Sequence, residues 1–223
     1  MSASLSESCS CAGFVRRLAE FCRTDVSTII GHLCEFNAST GFAEQRTSQI
    51  EAWRSQIDIL QRVMSGIADR SVDAGNWHIL LEYEIPRRQK RPDVILLAED
   101  VIFVIEFKIG ARQFRAADRW QVEGYALDLR DFHAESEGRV IVPILCATEI
   151  ETPGRLPTAD GALAWQVIEA NAVSLAAQLH EIFLLAHDSR QPAIHSERWV
   201  ASAYKPTLTV VEAAERLFNG HNV

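Results

Sequence analysis

Two apolar runs separated by a pair of acidic residues constrain this chain more than any other feature. Val94–Ala98 and Val101–Ile105 flank Glu99-Asp100, and each run is too short to make a helix of ordinary length. Short stretches of Val, Ile and Leu with polar ends predict buried strands, and a two-residue spacer predicts a hairpin. With that turn, Asp93 falls opposite Glu106, and their side chains share a face about 5 Å apart. Alternation puts Lys108 on the same face and Phe107 on the other. A turn with an odd number of residues would break this register.

Two carboxylates that close repel each other unless a proton or a cation lies between them. Oxygen ligands favour Mg²⁺ or Mn²⁺ over zinc. An amine beside such an ion can orient and help deprotonate an attacking water, which completes the equipment for metal-assisted phosphodiester hydrolysis. The alternative is a structural ion pair at a strand end, Lys108 with Glu106 or Asp93. The distribution of charge favours a site. Arg87–Arg119 holds eight basic and five acidic residues, whereas the rest of the chain holds 14 basic and 25 acidic. The whole chain carries −8, which excludes a protein that coats nucleic acid over its full surface. The basic surplus lies around the hairpin, where a polyanion would dock.

The 223 residues suffice for one large domain or two small ones, with length enough to bury a core. The serine-rich residues 1–10 have neither a basic start nor an apolar stretch, so they read as a flexible tail rather than a secretory signal, and the expected location is cytoplasmic. No apolar run is long enough for a bilayer, so no membrane partner is expected. Ala12–Phe21 and Val26–Cys34 read as two short helices with Thr24-Asp25 as a cap, and Asn37–Gly41 as a loop. Ile50, Trp53, Ile57, Leu60, Met64 and Ile67 recur in steps of three and four, the spacing of an amphipathic helix. Strands follow at Trp77–Ile85, Asp93–Ala98 and Val101–Lys108, then a helix at Ala117–Phe132 and a strand at Arg139–Ala147. Residues 151–161 read as a loop, Ala164–Ile168 as a fifth strand and Ser174–Leu185 as a helix. The predicted class is α/β, a core of helix, three strands, helix and strand with a mixed sheet between helices. Residues 11–190 read as the domain with its N-terminal helices, and 191–223 as a C-terminal tail or linker. Cys9, Cys11, Cys22, His32 and Cys34 lack the paired spacing of a zinc site, and Cys22 and Cys34 read as small buried apolar residues.

The pattern RPD at Arg91–Asp93 followed by IEFK at Ile105–Lys108 resembles the PD-(D/E)xK nuclease superfamily. Gln121-Val-Glu-Gly-Tyr125 resembles the QxxxY motif of RecB-type members. EYEIP, RPDVIL, VIEFK, QVEGYALDL, DFH and YKPTLTVVEAAERLF together resemble the N-terminal nuclease region of bacterial Schlafen-type superfamily-one DNA/RNA helicases. The resemblance implies a restriction-endonuclease-like core and a Mg²⁺- or Mn²⁺-dependent nuclease. It assigns Asp93 and Glu106 as metal ligands, Lys108 as the catalytic lysine, and Gln121 and Tyr125 as residues that position substrate or lysine. It implies DNA as partner, with RNA as an alternative, and a helicase region in cis or in trans; a homodimer is compatible with it. No GxxxxGK[ST] phosphate loop occurs in the chain, so the sequence reads as the nuclease region without its motor. The competing reading is a catalytically silent module for nucleic-acid binding or assembly.

Further candidates come from position. Gln49 flanks the apolar stripe of the long helix and could reach a site at the sheet, whereas Glu51 points away. Glu82 and Glu84 share a strand face and could add carboxylates around the site or face solvent. Arg91, Arg112 and Arg115 are candidates for phosphate contact. Arg112, Arg115 and Arg119 have helical spacing, although Gly110 delays any helix there. His133 reads as a cap on the preceding helix, and His32 and His78 carry no partner signal.

Overall fold

The computed structural model describes residues 11–40, 47–68, 73–88, 90–154 and 166–205. Its centre is the hairpin of β3 (Val94–Ala98) and β4 (Val101–Lys108), paired antiparallel with Val94 opposite Ile105 and Ala98 opposite Val101. This is the register of a two-residue turn. Glu-Asp is a poor turn pair by composition, and tertiary contacts supply what it lacks. Glu99 takes the left-handed conformation (φ 52°). The Asp100 carboxylate is buried, bonded to His187 and to the backbone N–H of Asp188 (3.0 Å), while Ile194 N–H donates to Glu99 O (2.7 Å).

Around the hairpin a six-stranded mixed sheet runs in sequence order. β1 (Ala12–Arg17), β2 (His78–Tyr83), β3 and β4 are antiparallel neighbours; β5 (Val140–Ala147) and β6 (Ile168–Ala170) continue parallel to β4. Both faces of the central strands are covered, which is why β3 and β4 read as continuous apolar runs. Val94, Leu96, Phe103 and Ile105 pack with Trp53, Ile57, Leu60 and Met64 of α3 (Thr47–Ala68) and with Leu179 and Ile182 of α5 (Leu175–Ala186). Ile95, Leu97, Ile102 and Val104 pack with Val122, Tyr125 and Leu129 of α4 (Ala116–Phe132). Each such side chain contributes about 1.5–3 kcal/mol by leaving water. Among the described residues, no helix is long and apolar enough to cross a membrane.

Three local expectations need correction. Ala12–Phe21 is not one helix: its first six residues form β1, and only Leu18–Phe21 are helical (α1). Phe14, Leu18 and Phe21 have helix-like spacing, but the open edge of β2 recruits the segment, so pairing overrides periodicity. Gly13 permits this, since a Cβ there would lie 2.7 Å from a Leu33 methyl of α2 (Val26–Ser39). Residues 37–39 are the last turn of α2 and not a loop, which places Asn37 in the interior. The last strand is displaced to Ile168–Ala170; residues 155–165, with the first two residues of the expected Ala164–Ile168 strand, lie outside those described. The cap on α2 is as expected, with Ser27 N–H donating to Asp25 Oδ2 (3.0 Å). Cys22 and Cys34 pack against the α3-side core.

Residues beyond 190 add to the core on the α4 side. The helix α6 (Ser196–Val200) inserts Trp199, which is fully buried against Tyr83 and His133. Trp199 Nε1 donates to Ser136 Oγ (2.9 Å), which lies 2.8 Å from His133 Nδ1, and the Tyr83 hydroxyl lies 3.1 Å from His133 Nε2. His133 also ends α4, its backbone N–H bonded to Leu129 O. Its ring is thus an interior bridge and not a helix cap.

Burial lowers the His133 pKa from 6.5 to about 4. The unfolded chain therefore takes up the proton first as pH falls. This residue's contribution to stability is complete above about pH 6.5 and is lost between there and about pH 4. The full loss is roughly 3 kcal/mol, of which about 2 kcal/mol falls between pH 7 and pH 5. Urea unfolding of His133→Gln should be less stable at pH 7 yet change less with pH than wild type. Parallel pH profiles would show that other groups carry the acid sensitivity.

Candidate functional site

The apolar alternation of β4 ends at Glu106 and Lys108, which continue the α4-facing set Ile102 and Val104. Asp93 precedes β3 on the same face, and its Oδ2 accepts from the Phe107 N–H (2.8 Å). Asp93, Glu106 and Lys108 therefore gather at one end of the hairpin, as the register predicts. Asp93 and Lys108 open into a cavity of about 1220 Å³ between α3 and α4, also lined by Gln49, Trp53, Gln56, Glu82 and Glu84, while Glu106 is buried and does not line it.

Lys108 is held on two sides. Its Nζ donates to Glu106 Oε1 and to Gln121 Oε1, both at 2.9 Å, and lies 3.7 Å from Asp118 Oδ1. Gln121 Nε2 donates to Glu106 Oε1 (2.9 Å) and to the Tyr125 hydroxyl (2.8 Å). Gln121 and Tyr125 stand one helical turn apart and so present the same face of α4 to the strand. A single amide thus fixes the carboxylate, the ammonium and the phenol together.

Burial dominates the electrostatics. It pushes the Asp93 pKa well above the ordinary carboxylate range, and the charges of Glu106 and Glu82 push the same way. Glu106 is raised for the same first reason, with Lys108 opposing. Burial alone would lower Lys108, but Glu106, Asp93 and Asp118 outweigh it and raise its pKa, so the amine is a persistent ammonium. Tyr125 is pushed up to about 12, chiefly by burial, and stays a neutral phenol.

Glu82 is the third carboxylate. Its backbone is left-handed (φ 52°), which interrupts the alternation of β2 and turns its side chain toward α3. There Trp53 Nε1 donates to Glu82 Oε1 (2.9 Å) and Arg91 Nε pairs with Oε2 (2.9 Å), while Arg91 also donates to Asn37 Oδ1 (2.7 Å). Burial raises Glu82, and Arg91 and Trp53 partly offset it. Glu84 lines the cavity and is half-buried. Gln49 reaches the cavity, whereas Glu51 is exposed and does not line it. Trp53, Gln56, Asn37 and Asp118 escaped the sequence reading: Trp53 shows as one more apolar stripe residue, and the others only as polar residues on helices.

The arginines divide. Arg91 is inside the cavity on Glu82. Arg112 and Arg115 are exposed, Arg112 paired with Glu149 (3.0 Å) and Arg115 on the cavity wall at the start of α4. Because α4 begins at Ala116, Arg112, Arg115 and Arg119 form no helical stripe; Arg119 pairs with Glu169.

The donor set fits a hard divalent cation. Glu106 Oε2 is buried with no hydrogen-bond partner among the described residues, and it belongs to a carboxylate beside another. No three His, Cys, Asp or Glu side chains gather into a metal-holding group among the described residues. Asp93 and Glu106 would thus act as a pair, the number of carboxylates Mg²⁺ commonly takes alongside water and phosphate oxygens. Comparison of the chain with family models, with curated proteins and with solved structures gives no match.

Two carboxylates packed together at the strand ends, both raised by burial, predict that removing one charge stabilises the fold when no cation is supplied. Asp93→Asn keeps an oxygen for the Phe107 N–H and removes one of those charges. In EDTA at about pH 8 it should unfold at higher urea than wild type, a gain of about 0.5–2 kcal/mol. A variant less stable than wild type would mean that the Asp93 charge is compensated in the fold.

Proposed function

We propose that this chain is a divalent-metal-dependent nuclease that hydrolyses DNA phosphodiester bonds, on a sheet and helix arrangement of the restriction-endonuclease-like kind. The observation that carries this reading is the shared hydrogen-bond cluster of Glu106, Lys108, Gln121 and Tyr125 beside Asp93, at the edge of a cavity that Asp93, Lys108 and Tyr125 line. A structural ion pair would need only Lys108 and one carboxylate. It would explain neither the second buried carboxylate nor the partnerless Glu106 oxygen. The sequence resemblance agrees on the same five residues and extends the reading to a nuclease region that works with a helicase.

Asp93 and Glu106 would hold Mg²⁺ or Mn²⁺, which when bound supplies Lewis acidity toward a phosphate oxygen and neutralises the two carboxylates. Lys108 has a proton to give and no lone pair to take one. Its part is to donate a hydrogen bond to the attacking water or to the phosphate oxygen on which charge develops. Gln121, bridging Glu106 Oε1 and Lys108 Nζ, sets the direction of that donor, and Tyr125 holds Gln121. Arg91 and Arg115, which line the cavity, would meet a nucleic-acid backbone there, and exposed Arg112 would meet it on the chain before α4. Glu82, held by Trp53 and Arg91, would tune the charge around the carboxylate pair from behind.

Single-stranded, double-stranded and supercoiled DNA, and RNA, incubated with Mg²⁺ or Mn²⁺ make the decisive assay. Wild type should cut at least one, and Lys108→Ala should keep the fold while losing roughly 10²–10³-fold in rate, the cost of removing one aimed donor. Asp93→Asn should lose both cleavage and Mn²⁺ binding, and Glu51→Ala should cut normally. Equal cutting by wild type and Lys108→Ala would overturn the reading, as would no cutting of any substrate.

A further inference from the structure

Trp120 is 71% exposed, next in sequence to a residue that holds the site together. Among the described residues, no other large exposed apolar side chain stands on α4. Trp120, Gly124, Asp128 and Phe132 follow one another at four-residue intervals, so they form one stripe along α4, beside the stripe of Gln121 and Tyr125. The β2–β3 loop lies along this stripe. Lys90 Nζ is 3.4 Å from where a Gly124 Cβ would stand and 2.7 Å from Asp128 Oδ2. Arg88 pairs with Asp128 (2.9 Å) and stacks its guanidinium 4.3 Å over the Phe132 ring. Phe132 stacks in turn on Tyr204, over which Arg87 sits at 5.2 Å. Two cations thus share the Asp128 carboxylate along the stripe, and Arg87 extends the row. Lys90 also lines the cavity, so the row is continuous with the site. Glu123, also on α4, lies on the side of the stripe away from Gln121.

We propose that this row, with Trp120 at one end and Lys90, Arg88 and Arg87 along it, is a track for single-stranded nucleic acid leading to the cavity. The proposal rests on the nuclease reading and names its substrate class. An exposed indole offers a face on which a base can stack, and the neighbouring ammonium and guanidinium groups suit the phosphates on either side. In a duplex both faces of each internal base are already stacked, so the indole gains nothing there. A protein partner would call for a continuous apolar patch. Of the other exposed large apolar residues among those described, Leu184 and Leu185 are on α5, across the sheet from α4, Val173 precedes α5, and Ile109 follows β4 at the cavity, so none continues the stripe along α4.

The test is fluorescence anisotropy in EDTA, where binding is read without cleavage. Labelled oligo(dT), oligo(rU) and a blunt DNA duplex of equal length are titrated with wild type, Trp120→Ala, Trp120→Phe and Lys90→Ala. Trp120→Ala should weaken binding of at least one single strand about tenfold, Trp120→Phe should restore most of it, and duplex binding should not change. Lys90→Ala should weaken the same strand and flatten its salt dependence by about one phosphate contact. Unchanged single-strand affinity in Trp120→Ala, an equal loss on duplex, or no binding by wild type would overturn the track. Cleavage plays no part in this readout, so failure here leaves the Lys108 experiment to decide the nuclease reading by itself.

Discussion

The pairing of β3 with β4 is the constraint from which the rest follows. Because side chains alternate along a strand, one register decides at a stroke which residues fill the core and which meet at the strand ends. With Val94 opposite Ile105, five apolar residues of each strand are consumed by two helical layers, and Asp93 and Glu106 are left side by side. A slip of one residue would turn Glu106 and Lys108 toward the α3-side core and Phe107 toward α4. The same pairing therefore specifies the interior and the charge cluster, and the fold cannot keep one without the other.

The cluster is then made tolerable by partial compensation. Lys108 balances one carboxylate, Arg91 balances Glu82, and Gln121 adds a second donor to the Glu106 oxygen that Lys108 bonds. What stays unbalanced is Asp93 and one oxygen of Glu106. Buried polar groups are normally partnered, so this local deficit marks a place where the sequence has not been optimised for the isolated fold. Such deficits are common where a protein must later receive a ligand.

The hairpin, its register, the long amphipathic helix and the PD…ExK and QxxxY spacings were all legible in the sequence, because they rest on alternation and helical periodicity within contiguous segments. Long-range choices were not legible. Ala12–Arg17 becomes a strand only because β2 has an unfilled edge, and Asn37 faces Arg91 only because α2 runs one turn further. Helical spacing among Arg112, Arg115 and Arg119 was misleading, because a helix that starts at Ala116 leaves the first two on irregular chain. Trp53 shows why apolar patterning hides chemistry: its ring fills the core while its N–H serves Glu82.

Glu82 leaves one more mark on the molecule. A non-glycine residue with φ of 52° in a strand costs about 1–2 kcal/mol over an ordinary conformation. Glycine would remove that strain and leave Trp53 and Arg91 facing an empty space. The strain is the cost of holding one carboxylate between an indole N–H and a guanidinium, and breaking that buried set costs more than the backbone would give back.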